Sequence, residues 1–429
     1  MGDDGLDDID LTDASVWERA APHEWLDRLR TESPVHWHPE SDGPGFWALT
    51  RHDDVRRVST SPGEFSSYVG GPLRLDPPDD SLDQVRMVII GMDPPEHRDF
   101  RTIVSKAFTP KMIAQLEESL RTETARVISE LRVGDRCEFV ADVAARIPMW
   151  SISELMGVPP EDRERLYELS HALIDDQDPE IAPTPETSLV ASAEIFAYAT
   201  EMAARERAKP SGNLTSVLLE AEIDGRRLDD LEFTLFFIFL IVAGNETTRT
   251  ATSHGLLSLL DHPEALNRLV RDPSLMPAAV EEMLRWEPPI HHFRRTATTD
   301  VDLGGQRVAK GDKVLMWYAG SNRDPCVFAD PHTFLIDRSP NPQQSFGIGE
   351  HFCLGANLAR LSLRLLFTEL LAAIENVQLE APPRRLHSNL INGDQRAADH
   401  LRRAVRCSDV RVCPEANWGS GEPGVRPDA

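Results

Sequence analysis

The densest chemistry in this 429-residue chain lies in ten residues, Phe346-Gly-Ile-Gly-Glu-His-Phe-Cys-Leu-Gly355. Gly347 and Gly349, ahead of Cys353, permit a tight backbone turn against a flat group, and Gly355 lets a helix begin close to the same face. A thiolate held on such a turn can be the fifth ligand of haem iron, pushing electron density toward oxygen and favouring O–O cleavage. Taken alone, a cysteine is more often an inert core residue; here the spacing of its neighbours singles it out. The glycines do not form a dinucleotide fingerprint, because no third glycine follows at the required place and no convincing strand precedes them.

Three other groupings carry chemistry. In Ala243-Gly-Asn-Glu-Thr-Thr248, Thr247 can hydrogen-bond the Ala243 carbonyl four residues back, which bends a helix and opens a groove. Glu246 beside it can relay protons from solvent, although a polar end to a core helix would read the same way. Glu282 and Arg285 stand at i and i+3, on one helix face, a spacing also common on exposed helices. His97 and Arg101 stand at i and i+4 after Asp93-Pro-Pro, which predicts a helix start with an Asp cap and Pro in the first turn. Together they can meet one carboxylate of a bound group, where elsewhere they would be a surface pair.

Helices must position most of these residues. Apolar residues recur every three or four positions over 110–131, 187–209, 229–260, 277–286 and 354–374. Alternation over 35–37, 46–49, 301–303 and 313–317 predicts short strands. The fold class is therefore mainly α with small β-sheets. Two Pro-rich loops, 70–78 and 178–185, interrupt the pattern, and long irregular loops are commonly functional lids. No repeat or low-complexity linker divides the body of the chain. From 394 to 429 there are six Arg, three Gly and three Pro with little periodicity, which predicts a disordered tail.

With 45 basic against 71 acidic residues the net charge is −26, which opposes nucleic acid and anionic membrane surfaces as partners. Five cysteines with no short paired spacing disfavour a disulfide framework and a zinc site. The first 20 residues have neither a basic leader nor an apolar run, so a cytoplasmic protein without a membrane anchor is expected. The apolar run 233–244 is too short to span a bilayer and reads as a buried helix.

The cysteine segment carries the full pattern FGxGxHxCxG and resembles the haem-binding loop of cytochrome P450 monooxygenases. The resemblance runs from about residue 15 to 393 and takes in AGNETT, ExxR and HxxxR in the family's order. It implies one domain over 1–393, with haem b between the long oxygen-binding helix and the cysteine loop. Cys353 would ligate the iron and Phe346, Gly347 and Gly355 would shape the loop. His97, Arg101, Arg295 and His351 would hold the propionates. Glu246 and Thr247 would deliver protons to dioxygen. Glu282 and Arg285, with Arg338 as third partner, would lock the loop that leads to the cysteine.

The resemblance also implies a substrate pocket walled by Val88, Ile89, Ile90, Leu240, Ala243, Ile290, Phe293, Leu390 and Ile391, an apolar lining suited to a hydrophobic molecule. His291 and His292 stand beside that wall. The implied subgroup is bacterial, oxidising sterol side chains, terpenoids, methyl-branched fatty acids or alkanes. No electron-transfer segment is fused on, so a ferredoxin and an NAD(P)H-dependent ferredoxin reductase are the implied partners of a monomeric enzyme. They would dock on a locally basic face containing Arg98, Lys106, Lys111, Arg360 and Arg364. A peroxide-driven hydroxylase and a non-catalytic haem-thiolate sensor are the competing readings.

Overall fold

The computed structural model describes residues 5–41, 43–105, 108, 110–131, 137–174, 184–223, 225–373, 377–379, 382–396 and 401–403. At its centre is one 32-residue helix, Asp230–Asp261. It starts at a capping box: the Asp229 carboxylate accepts from the Glu232 amide, and the Glu232 carboxylate accepts from the Asp229 amide. By length and composition alone it is long and apolar enough to cross a membrane, but the run 233–244 lies within it as a buried helical segment, as its apolar pattern predicts. Its apolar side chains are nevertheless buried in protein: Phe233, Phe236, Phe237, Leu240 and Ile241 on one side of the polar segment, Leu256 and Leu259 on the other. A helix apolar on all sides is the core helix of a large fold.

Around it pack the helices Arg146–Met156, Arg163–Ile174, Pro185–Ala208, Met276–Trp286 and Ala356–Ala373. Two apolar cores result, one around Phe100, Phe236 and Leu240, the other around Leu259, Met283 and Phe367. Helix ends fall within two residues of those read from periodicity at 110–131, 187–209, 229–260, 277–286 and 354–374, where the structure has Pro110–Glu130, Pro185–Ala208, Asp230–Asp261, Met276–Trp286 and Ala356–Ala373.

Beside the helices lies a five-stranded sheet in the order Val35–His38, Phe46–Leu49, Lys313–Trp317, His292–Ala297, Phe65–Ser66. The pair Phe46–Leu49 and Lys313–Trp317 is parallel and the other pairs are antiparallel. Every residue of Lys313–Trp317 is buried, as a central strand covered on both faces requires. Val301–Leu303 pairs with Gln306–Val308 as a separate hairpin.

The expected break in structure at 394 is corrected. Asp394–Arg396 pairs antiparallel with Arg384–Arg385, and Leu401–Arg403 with Val377–Leu379, because turns at 386–393 fold the chain back on itself. The rest of the predicted tail, and 178–183 of the second Pro-rich loop, lie outside the described residues.

Candidate active site

The cysteine loop forms as its glycines require. Gly347 and Gly349 take φ of +68° and +72°, the left-handed region that favours glycine. The Cys353 amide then donates to the Phe346 carbonyl at 2.8 Å, closing the turn. A Cβ on Gly355 would meet no atom within 4 Å, so open space lies beside the cysteine where the helix Ala356–Ala373 begins. Phe346 is capped from the other side by the Arg360 guanidinium, 4.4 Å from its ring centre.

Cys353 keeps accessible surface, yet burial pushes its thiol up, a combination that marks a side chain facing an internal cleft. The amide of Gly355 and the Arg101 charge pull the other way. A bound cation tips such a balance, since a coordinated thiol is deprotonated outright.

Thr247 donates to the Ala243 carbonyl at 2.8 Å, as expected. Most of the helix carrying it is buried, but Phe239, Ala243, Gly244 and Thr247 retain accessible surface, as do Leu235, Ile238 and Val242. Their spacing puts them on one face, so the stripe lines a cleft. Glu246 does not share that face. Its carboxylate accepts from the Arg249 Nε at 2.8 Å and from the same guanidinium's Nη2, and lies 3.9 Å from the His171 Nδ1. Next to it the Asn245 side chain donates to Ser170 at 3.3 Å. The acid is thus turned toward the helix Arg163–Ile174, which corrects the simple picture of acid and alcohol side by side. Sequence reasoning passed over Arg249, although it repeats the i, i+3 spacing of Glu282 and Arg285.

His97, Arg101, Arg295 and His351 converge. The His97 and His351 rings are 4.3 Å apart, and both ring nitrogens of His97 are buried without a hydrogen-bond partner. Burial, then the Arg101 charge, lowers His97 to about 4; burial, then Arg295, lowers His351 to about 2. Among the described residues no carboxylate bonds the Arg101 or Arg295 guanidinium, and Arg295 donates to the Arg294 carbonyl at 2.7 Å. Donors and cations enclosed together without an anion fit the carboxylates of a bound group. Asp93 is not the side-chain cap expected for the Glu96–Ser105 helix. Its carbonyl accepts from the His97 amide, while its carboxylate bonds the Ser66 hydroxyl and, at 2.8 Å, the Ser67 amide. Ser67 in turn lies 3.2 Å from the His351 ring.

Glu282 and Arg285 are fully buried and joined by two 2.8 Å hydrogen bonds. Arg338 completes the set at 3.0 Å, and the Leu335 amide and Asn341 side chain also donate to Glu282. Arg285 reaches the carbonyls of Asn322 and Pro331. These bonds tie the helix Met276–Trp286 to the segment 322–341, which runs into the cysteine loop.

Of the implied pocket wall, Ile290, Leu390 and Ile391 meet: Ile290 bridges Ile391, and the His291 amide donates to the Leu390 carbonyl. Val88, Ile90 and Ala243 are half-buried. Ile89 and Leu240 belong to the helical core with Phe100 and Phe236, while Phe293 packs edge-on against Tyr318. The His291 ring lies tilted 4.2 Å from the Trp17 ring and the His292 ring tilted 4.4 Å from the Trp317 ring, and both histidines are buried. The basic docking face is also altered: Glu350 bonds Arg98 and Glu281 bonds Arg360. Lys106 and the Lys111 side chain lie outside the described residues, and Arg364 is exposed.

The cytochrome P450 family model matches residues 183–393. A methyl-branched lipid omega-hydroxylase of Mycobacterium tuberculosis is 41% identical over 376 residues, covering 85% of this chain and 87% of the relative. The chain belongs to the cytochrome P450 family. A steroid C26-monooxygenase of Mycolicibacterium smegmatis is 37% identical over 396 residues, covering 90% of this chain and 92% of that P450. A solved Mycobacterium marinum P450 in complex with pseudoionone superposes with a TM-score of 0.85 at 36% identity, covering 92% of this chain and 99% of that one. The protein is a P450 monooxygenase, with the haem-thiolate cofactor of its family, acting on a hydrophobic substrate.

Proposed function

We propose that this P450 hydroxylates a sterol-, terpenoid- or methyl-branched-lipid-like molecule, with electrons passed from NAD(P)H through a separate reductase and ferredoxin. One oxygen atom of O2 enters a C–H bond and the other leaves as water, consuming two electrons and two protons. The observation that carries the reading is the accessible stripe Ala243, Gly244 and Thr247 on a buried helix, with Val88, Ile90, Ile290 and Leu390 as further apolar surface. Relatives named for methyl-branched lipid and steroid oxidation support the substrate class.

Haem b, when bound, supplies the redox chemistry of dioxygen. Cys353 would ligate its iron, and His97, Arg101, Arg295 and His351 would hold its two carboxylates. Thr247 spends its proton on the Ala243 carbonyl, which leaves its oxygen free to accept from a water and orient it. Glu246, ionised while it accepts from Arg249, would take a proton from solvent on leaving Arg249 and hand it on toward the cleft, so Arg249 holds the carboxylate in reserve. That arrangement favours a reductase-driven reaction, in which both protons come from solvent. In the peroxide-driven alternative hydrogen peroxide carries them in.

Product formation with ferredoxin and reductase is compared with hydrogen peroxide alone, after a haem-absorbance binding screen of sterols, terpenes and branched fatty acids. Turnover that needs the electron-transfer proteins supports the proposal. Equal turnover with peroxide alone supports the peroxide-driven hydroxylase, and binding without turnover in either system supports a sensor.

A further inference from the structure

The helix Pro185–Ala208 is apolar on two sides, and the fold uses only one of them. Its inner side, with Ile195, Ala199 and Met202, packs among the helices Arg163–Ile174, Leu214–Glu220 and Asp230–Asp261. On its outer side Leu189, Ala193, Phe196, Ala197, Thr200 and Ala204 are all exposed. Steps of three and four residues keep them on one face, which runs about 22 Å along the helix. Leu189, 69% exposed, is the most exposed large apolar side chain among the described residues, and Val190 flanks it. The helix Pro110–Glu130 shows the ordinary pattern instead: its exposed positions carry Glu118, Arg121 and Arg126. An apolar face presented to solvent over several turns marks a contact surface.

The order of residues along this face says what it contacts. Reversing the helix about the midpoint between Phe196 and Ala197 sets Leu189 against Ala204, Phe196 against Ala197 and Ala193 against Thr200. Each bulky side chain then meets a small one. Toward the two ends Glu186 is set against Arg207, both exposed. Glu201 and Glu206 fall opposite Ser192 and Thr187, so no like charges oppose one another along the overlap. A lipid surface or an unrelated protein calls for no such match between the two halves of one helix. A two-fold dimer does, because each copy presents the same patch to the other.

We propose that the outer face of Pro185–Ala208 joins two copies of this chain as antiparallel helices, about a two-fold axis between Phe196 and Ala197. The alanines let the two helices approach closely, the apolar rows bury one another, and Glu186 of each copy pairs with Arg207 of the other. Arg207 bonds Asp230 of its own chain through Nη2 at 2.5 Å and has further donors for the second carboxylate. One helix pair buries less than about 1,200 Å², the size of a transient interface, so the dimer is a weak one, with Kd of roughly 10–100 μM. It departs from the monomer implied by the family resemblance and does not depend on the proposed haem site.

The test is sedimentation equilibrium of the full-length holoenzyme from about 1 to 300 μM, a range that brackets the expected Kd, with circular dichroism to confirm that each variant keeps its helix content. The wild type should pass from monomer to dimer across the range, and Phe196→Glu should stay monomeric. Glu186→Arg and Arg207→Glu each set like charges together at both ends of the pair, and each alone should weaken association by about tenfold. Mixed in equal amounts, these two variants form a heterodimer with opposite charges at both ends, and association should return toward the wild-type value. A wild type that stays monomeric overturns the proposal, as does a dimer untouched by Phe196→Glu. Failure of the mixture to recover overturns the antiparallel pairing. Sedimentation of a monomeric wild type with phosphatidylcholine vesicles, lost in Phe196→Glu, would give the face to lipid instead.

Discussion

Two buried charge clusters flank the proposed cofactor site, and they are built on opposite plans. In the Glu282–Arg285–Arg338 cluster every charge has a protein partner: both Glu282 oxygens accept from guanidinium, amide or carboxamide donors, and the spare Arg285 donors reach carbonyls. In the His97–Arg101–Arg295–His351 cluster the donors crowd together, both His97 nitrogens lack partners, and burial keeps the two imidazoles neutral. The first cluster is complete in the polypeptide alone. The second is complete only when an anion enters, which is how a binding site differs from a structural lock of similar composition.

Removing one partner from each cluster should break them in different ways. Glu282→Ala strands two buried guanidinium groups and should destabilise the chain by about 3–5 kcal/mol, seen as loss of soluble protein or a sharp fall in Tm. Wild-type stability in that variant would show the lock to be decorative. Arg295→Leu removes a buried cation with no carboxylate partner, so the haem-free protein should be no less stable than wild type. Haem affinity, measured by transfer to an acceptor protein, should fall about 10- to 100-fold, the worth of one charge-assisted hydrogen bond. A variant whose haem-free form unfolds while haem affinity holds would reverse the assignment of the two clusters.

The lock was legible in the sequence because i, i+3 spacing on a helix fixes which side chains meet. The cysteine turn was legible too, since its glycines dictate the backbone locally, and the Thr247 bond spans a single helical turn. What the sequence hid depends on contacts between distant segments. Nothing near Asp93 announces Ser66, 27 residues away, nor does Glu282 announce Arg338, 56 residues away. The partner of Glu246 was legible in form, since Arg249 repeats the i, i+3 spacing of Glu282 and Arg285. At the C-terminus, poor periodicity concealed strand pairings, because a two- or three-residue strand takes its partner from the fold and not from its own alternation.

Two smaller effects sharpen the contrast between completed and waiting charges. Thr247→Ala should leave substrate binding and electron uptake intact while more of the NAD(P)H consumed appears as hydrogen peroxide, with product formation falling by up to about 10²-fold. Unchanged coupling of NAD(P)H use to product would reduce Thr247 to a helix-bending residue. Asp394 is a buried carboxylate with neither oxygen hydrogen-bonded, 3.6 Å from the His254 ring. Asp394→Leu should raise stability by about 1 kcal/mol, read as an increase in Tm; a fall would show that the His254 contact outweighs the desolvation.

The central claim is that Cys353 is the iron ligand at the floor of this cleft, and the most direct measurement is the absorption spectrum of the reduced carbon monoxide complex. The wild type should give the red-shifted band of thiolate-ligated haem, Cys353→Ala should lose it, and Cys137→Ala and Cys326→Ala should keep it. Retention of the band in Cys353→Ala, or its loss in either of the others, would contradict the account.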